Sequence, residues 1–395
     1  MSFCLDEHGA FKIGPFGSSL KRSELVDAGF PVVGIENVLP NQFEKDFRRF
    51  VAPAKFKELS DYEIVPNDVL VTTMGTIGRA AVVPPNLGKA IFDSHLFRMR
   101  VDTGRVLPSY LCYAINSSVV ELQLQQMARG AIMQGLNTTI LRECDIPLPD
   151  LSEQKLITGL LERADRLRRT RRYAVELSDT FLPAAFLELF AGQSFRRIAF
   201  EDLALPVRGS FVNGPFGSNL LTSELIAEGV PVIYIRDITG GRYERVSTVC
   251  ITPAKAAELS ICNVLPGDLL IAKVGDPPGT SAIYPPESPL GVITQDVIRL
   301  RPNTELVLPE YLHGFLNSHL GYRLLRPIIV QGTRERFGLT PFKELGAPIP
   351  PIRQQEQFAS LVRKHGCVRA THREALRQAD HLFQSLLHSA FSCIA

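Results

Sequence analysis

Cysteine is sparse in this chain and follows no pattern. The seven residues, Cys4, Cys112, Cys144, Cys250, Cys262, Cys367 and Cys393, are odd in number and include no Cys-x-x-Cys. That excludes a disulfide framework or an ordinary zinc site and fits a reducing cytosol. No apolar run approaches the roughly 20 residues that a membrane span needs. Asp6, Glu7 and Lys12 stand close behind Met1, so no signal-peptide core is visible. Charge of one sign is also missing. The net charge is +2, too little for an affinity carried by phosphate neutralisation alone, although a few well-placed groups can still meet DNA.

The usual catalytic signatures are absent too. There is no Gly-x-x-x-x-Gly-Lys-[Ser/Thr] phosphate cradle, no His-Glu-x-x-His and no Gly-x-Ser-x-Gly. Two segments imitate chemistry. Asp150 followed by Glu153-Gln154-Lys155 has the composition of a nuclease metal motif, but its spacing is one helical turn and reads as a helix cap. Asp276-Pro277-Pro278-Gly279 is similar to the Asp-Pro-Pro-aromatic motif of amino-methyltransferases. It lacks the aromatic that stacks the target base, so it reads as a turn.

What is present is a repetition. Gly14-Pro15-Phe16-Gly17-Ser18 returns as Gly214-Pro215-Phe216-Gly217-Ser218, and Ser23-Glu24-Leu25 as Ser223-Glu224-Leu225. Pro53-Ala54-Lys55 returns as Pro253-Ala254-Lys255. After a one-residue slip, Pro108-Ser109-Tyr110-Leu111 becomes Pro309-Glu310-Tyr311-Leu312. Solenoid units run about 20–50 residues, so this long period marks a duplicated domain with an internal pseudo-two-fold. Such symmetry suits a two-fold partner such as duplex DNA.

With 395 residues, 45% hydrophobic and 21% charged, the chain reads as two or three soluble globular domains. The fold class is α/β (α+β), in the order globule, helix, globule, helix. Residues 1–150 and 195–351 carry short apolar strands such as Pro31–Ile35 and Pro231–Ile235, separated by Gly/Pro turns. Each globule leaves through a Pro-spaced segment, Ile146-Pro147-Leu148-Pro149 or Pro348-Ile349-Pro350-Pro351, into a helical stretch at 151–194 or 352–395. The first helical seam predicted from apolar spacing is Ile157, Leu160, Ala164, Leu167, Ala174, Phe181, Ala185. The second is Phe358, Leu361, Val368, Ala375, Ala379, Leu382, Leu386. Antiparallel mutual packing of the two helices is expected; packing of each on its own globule is the alternative. The central helix reads as about 30 residues, about 45 Å long at 1.5 Å per residue.

Candidate DNA contacts fall in two groups. In the shared loop, Lys12, Ser18, Ser19 and Lys21, with Asn213, Ser218 and Asn219 in the second copy, either donate to phosphates or belong to a structural turn. In the divergent segments, Thr72, Thr73, Gln134, Asn137 and Thr138 face Lys273, Gln331, Thr333, Arg334 and Arg336. Arg bidentately contacts guanine, and Gln or Asn adenine, whereas a plain solvated loop is the bland reading. Arg163, Arg166, Arg168, Arg169, Arg171 and Arg172 form either a solvated helix face or a phosphate contact.

Two globules, each ending in Ile-Pro-x-Pro or Pro-Ile-Pro-Pro and followed by a coiled-coil helix, resemble the specificity subunit of type I restriction-modification enzymes. The Gly-Pro-Phe-Gly-Ser loop and the Pro66-Asn67-Asp68-Val69-Leu70 and Pro266-Gly267-Asp268-Leu269-Leu270 strand starts carry the likeness. So do Leu151-Ser152-Glu153-Gln154 and Ile352-Arg353-Gln354-Gln355. The resemblance covers essentially the whole chain. It implies two target recognition domains reading the halves of a split, asymmetric double-stranded DNA site. It implies helices that dock two methyltransferase (modification) subunits, with restriction/translocase subunits where the system has them. It implies a cytoplasmic bacterial or archaeal location and no cofactor on this chain: S-adenosylmethionine sits on the methyltransferase subunits, ATP and Mg on a restriction subunit. The helix would act as a ruler, leaving an unread gap of roughly 5–8 base pairs at 3.4 Å per base pair. A non-catalytic coiled-coil adaptor and a stand-alone DNA methyltransferase are the competing readings. The first copy has few residues ahead of Gly14, where Phe195 to Val212 lead into the second loop. That leaves open a shortened first domain or one that leans on the end of the second helix.

Overall fold

A computed structural model describes residues 4–5, 9–16, 19–129, 136, 138–217 and 219–392. The chain forms two compact units, one comprising residues 1–172 and 374–395, the other 173–373. Each is described by itself.

The first unit holds a four-stranded antiparallel sheet, ordered Phe11–Ile13, Leu96–Met99, Val69–Thr72, Ala80–Val82. Beside it in sequence is a mixed sheet in which Phe30–Val33 runs parallel to Ala90–Phe92. The second unit repeats the plan. Phe211–Asn213, Val297–Leu300, Leu269–Ala272 and Ser281–Ile283 form the antiparallel sheet, and Val230–Ile233 runs parallel to Gly291–Ile293. Central strands such as Val69–Thr72 and Leu269–Ala272 are buried at every position, as their near-continuous apolar sequence requires.

The expected long helices are present at Leu151–Phe190 and Ile352–Ser392. The first has 40 residues rather than about 30, because it continues through Pro183. Asp150 caps it: its Oδ1 accepts the N–H groups of Ser152 and Glu153, both at 2.9 Å. Helix pairing is antiparallel within each unit. In the first, Arg172 reaches Asp380 at 3.5 Å and Arg168 lies over the Phe383 ring. In the second, Asp179 pairs with Arg369, Ser178 with His365, and Phe186 packs on Phe358.

The seam has the expected period but a shifted phase. Ala164, Phe358 and Ala379 are buried as expected, and Leu161, Phe186, Phe190, Phe383, Leu387 and Phe391, which the apolar spacing did not select, are buried too. Ile157, Leu361 and Leu386 are half-buried. Leu160, Leu167, Val368 and Leu382 are exposed, which corrects their assignment to the seam, whereas Phe181, though partly exposed, stacks on His365 of the other helix at 5.3 Å as expected of a pairing residue. Polar residues occupy seam positions, among them Arg168, Ser178, His365 and Arg369. A reading restricted to apolar residues therefore stepped to the neighbouring Leu or Val.

Each helix end completes a globular core. Phe391 and Phe383 pack against Tyr110 and Tyr113 in the first unit. Phe186 and Phe190 pack against Tyr311 in the second. The first globule thus leans on the end of the second helix.

Candidate nucleic-acid interface

The repeated motifs prove to be scaffold bonds. Glu24 accepts the Lys21 N–H at 2.7 Å and pairs with Lys55 at 2.9 Å; Glu224 does the same with Leu221 and Lys255 at 2.7 and 2.8 Å. These contacts hold both glutamates below the usual carboxylate range. Asp68 and Asp268 accept the N–H three residues earlier and bind Arg100 and Arg301. Gln154 is fully buried. Its Oε1 accepts the Leu107 N–H at 2.9 Å, and its Nε2 donates to Arg105 and Pro149 carbonyls. Gln355 repeats this with Leu308, Leu306 and Pro350. These residues hold the frame rather than a ligand.

On that frame the divergent segments of the second unit meet. Val274–Gly275 pairs antiparallel with Glu335–Arg336, and the Phe337 N–H donates to the Lys273 carbonyl. Lys273, half-buried, precedes one strand of the ribbon, and Thr333, Arg334 and Arg336 are exposed on the segment that forms the other. Gln331 is exposed and donates to Glu335 at 2.7 Å. Lys273 donates from Nζ to the Gln295 carbonyl at 2.8 Å and lies 5.9 Å from the centre of the Phe216 ring. Asn219 is exposed, and its N–H closes a turn onto the Phe216 carbonyl. Asn213 is half-buried within its strand.

In the first unit the Leu136 N–H donates to the Thr73 carbonyl, the same anchoring as Phe337 on Lys273. Ser18, Gln134, Asn137 and Ser218 lie outside the described residues, as does the side chain of Thr138. Lys21 is exposed and Ser19 half-exposed. Three assignments are corrected. Thr72 and Thr73 are buried, with the Thr72 hydroxyl turned onto the Thr76 carbonyl, so neither faces a ligand. Lys12 is held by Asp61 at 3.3 Å and lies over the Tyr62 ring, so it is committed within the unit. Asp276 is exposed on a turn, as expected.

The arginine run divides. Arg168 and Arg169 turn inward onto buried Asp165, and Arg169 also donates to the Asn41 carbonyl. Arg163, Arg166, Arg171 and Arg172 stay exposed. Sequence reasoning missed Phe16 and Phe216, which are 67% and 61% exposed at equivalent turns. Their signal was the identical Gly-Pro-Phe-Gly in both copies. Among the described residues no cluster of His, Cys, Asp and Glu could hold a metal ion, and no helix is long and apolar enough to cross a membrane.

Residues 11–177 match the family described as type I restriction modification DNA specificity domain. A putative type I restriction enzyme MjaX specificity subunit of Methanocaldococcus jannaschii is 24% identical over 177 residues, 44% of this chain and 42% of that protein. The type I restriction enzyme EcoBI specificity subunit of Escherichia coli is 22% identical over 320 residues, 72% of this chain and 63% of its own length. The chain thus spans less than two thirds of either relative. Among solved structures, the S subunit of a type I restriction-modification system from M. genitalium aligns with a TM-score of 0.56. It is 14% identical, and the alignment covers 96% of this chain and 93% of that one. At that identity the likeness is one of fold.

Proposed function

We propose that this chain is a specificity subunit of the type I restriction-modification kind and reads a split and asymmetric duplex DNA target. Each globule reads one half. The observation that carries this reading is the division of labour within the second unit. Shared residues such as Glu224, Asp268 and Gln355 are spent on internal bonds, while unlike residues, 331–334 and Arg336, are exposed on a ribbon beside half-buried Lys273. A common frame with different exposed groups fits two half-sites of different sequence.

The exposed apolar residues beside the helix seam would dock two methyltransferase subunits. Leu156, Leu160 and Leu167 on the first unit's part of the helix follow steps of four and seven, and Leu177 is exposed on the second's. S-adenosylmethionine would reside on those partners, and ATP and Mg on a restriction subunit. This chain would position DNA without catalysing its modification.

Mapping methylated motifs in the source cell with and without this gene tests the reading. A split motif with unlike halves should lose methylation on deletion. Exchanging 1–150 for another recognition domain should change only one half. A methylation map unchanged by deletion would overturn it. So would stoichiometric S-adenosylmethionine binding by the isolated chain.

A further inference from the structure

Three phenylalanines are exposed among the described residues: Phe16, Phe181 and Phe216. Two of them are equivalents in the repeats. An isolated exposed apolar side chain needs no explanation. The same aromatic exposed twice, on the same turn, asks for one, because nothing in the fold of either unit uses the ring as core.

The turn is built to hold its ring out. Pro15 and Pro215 precede the rings and fix the local backbone. The Phe16 carbonyl accepts the Ser19 N–H at 2.7 Å, and the Phe216 carbonyl accepts the Asn219 N–H at 2.8 Å. The base of the turn is pressed against a neighbouring loop. A Cβ on Gly14 would stand 1.9 Å from the Asp93 carbonyl oxygen, and one on Gly214 would stand 2.3 Å from the Thr294 carbonyl. Only glycine allows that approach, so the turn has little freedom to fold its ring away. In the second unit the ring lies next to Lys273, at the base of the ribbon that carries Arg336. An exposed apolar ring beside a cation is complementary to nucleic acid, where phosphates take the charge and base or sugar faces take the ring.

We propose that Phe16 and Phe216 are DNA-positioning residues, each pressing its ring against a base step of the half-site its globule reads. The inference rests on the reading under Proposed function. Both copies carry the same residue, so the contact is common to both halves and independent of their sequence. It fixes where each globule sits, while the divergent segments read the bases.

The test uses the full chain assembled with its methyltransferase subunits, and duplexes carrying the mapped target with 2-aminopurine placed at successive positions. The wild-type complex should change 2-aminopurine fluorescence at one step in each half-site. Phe216→Ala should abolish the change only in the half read by 196–350 and weaken binding roughly tenfold to a hundredfold. Phe16→Ala should do the same in the other half, and Phe216→Trp should preserve both signals. Circular dichroism should match wild type, since an exposed ring supports no core. Unchanged affinity in both alanine variants would overturn the proposal, as would lost affinity with every fluorescence signal intact. A wild-type complex with no preference for the mapped duplex over a scrambled one would instead overturn the functional reading on which it rests.

Discussion

The ring of Phe391, on the last turns of the second long helix, lies 5.4 Å from the ring of Tyr110 in the core of the first globule. Phe190 and Tyr311 make the corresponding contact at 5.1 Å in the second unit. Each globule therefore takes its closing aromatic from the helix that follows the other globule in sequence. Tyr110 and Tyr311 also tie the exit segments, donating to the Pro147 and Pro348 carbonyls.

Phe391→Ala should destabilise the first unit by about 3–5 kcal/mol, because a buried ring is removed from a packed core. Phe190→Ala should do the same in the second. Urea unfolding followed by hydrogen exchange should place each loss in its own unit. A loss spread equally over both units would contradict the assignment of the helix ends.

His313 gives the second unit a titration that the first lacks. The Asn317 Oδ1 accepts the Ser281 N–H, so its amide nitrogen is the donor toward His313 Nδ1 at 2.9 Å. The imidazole must accept there and stay unprotonated at that atom. Burial pushes its pKa down to about 4 from 6.5. The unfolded chain then binds a proton between those values that the folded chain does not, so stability is full above about 6.5 and falls as pH drops toward 4. The equivalent residue in the first unit is Cys112, whose thiol burial pushes up to about 12 and so leaves neutral throughout that window. His313→Cys should flatten the pH dependence of the second unit between pH 6.5 and 4, measured by urea unfolding at stepped pH. An unchanged profile would rule out His313 as its source.

The shifted seam separates stability from docking. Leu161 is buried and its neighbour Leu160 is exposed. Leu161→Ala should cost about 2–5 kcal/mol of unfolding free energy. Leu160→Ala should stay within about 0.5 kcal/mol, yet weaken assembly with methyltransferase subunits in analytical ultracentrifugation. Equal effects on stability would mean that both leucines serve the helix pair.

Much of the architecture was legible because duplication made internal bonds visible as repeated words. Ser-Glu-Leu with Pro-Ala-Lys encodes a capped turn and an ion pair to the lysine, and the helix-start glutamine encodes a buried clamp. Repetition, however, reports whatever the two copies share, internal bonds and the exposed Phe16 and Phe216 alike. Lys12 reads as a candidate because it lies beside the shared loop, yet Val212 stands at its place in the second copy and Asp61 takes its charge. The Thr72–Thr73 pair was misplaced because divergence between copies also occurs inside a buried strand end. The helix phase was hidden because His365, Arg369 and Ser178 fill seam positions with hydrogen bonds instead of apolar contact. The pairing of Val274–Gly275 with Glu335–Arg336 joins segments far apart in sequence, and no local periodicity announces it.

That pairing makes the most specific expectation about recognition. Arg334 and Arg336 are exposed on the segment that the ribbon brings to Lys273, and the backbone pairing of Arg336 with Val274 fixes the segment's position. Replacing either by Ala removes a guanidinium without touching the core. If either contacts guanine bidentately, binding to the half-site read by 196–350 should weaken by about 1–3 kcal/mol, and discrimination should relax at one base pair. If it contacts only phosphate, binding should weaken evenly across sequences and the salt dependence should become shallower. Titration of the assembled complex against duplexes varied one base pair at a time, at two salt concentrations, separates these outcomes. Relaxed discrimination in the half-site read by 1–150 would show that the ribbon is not the reader of its own half.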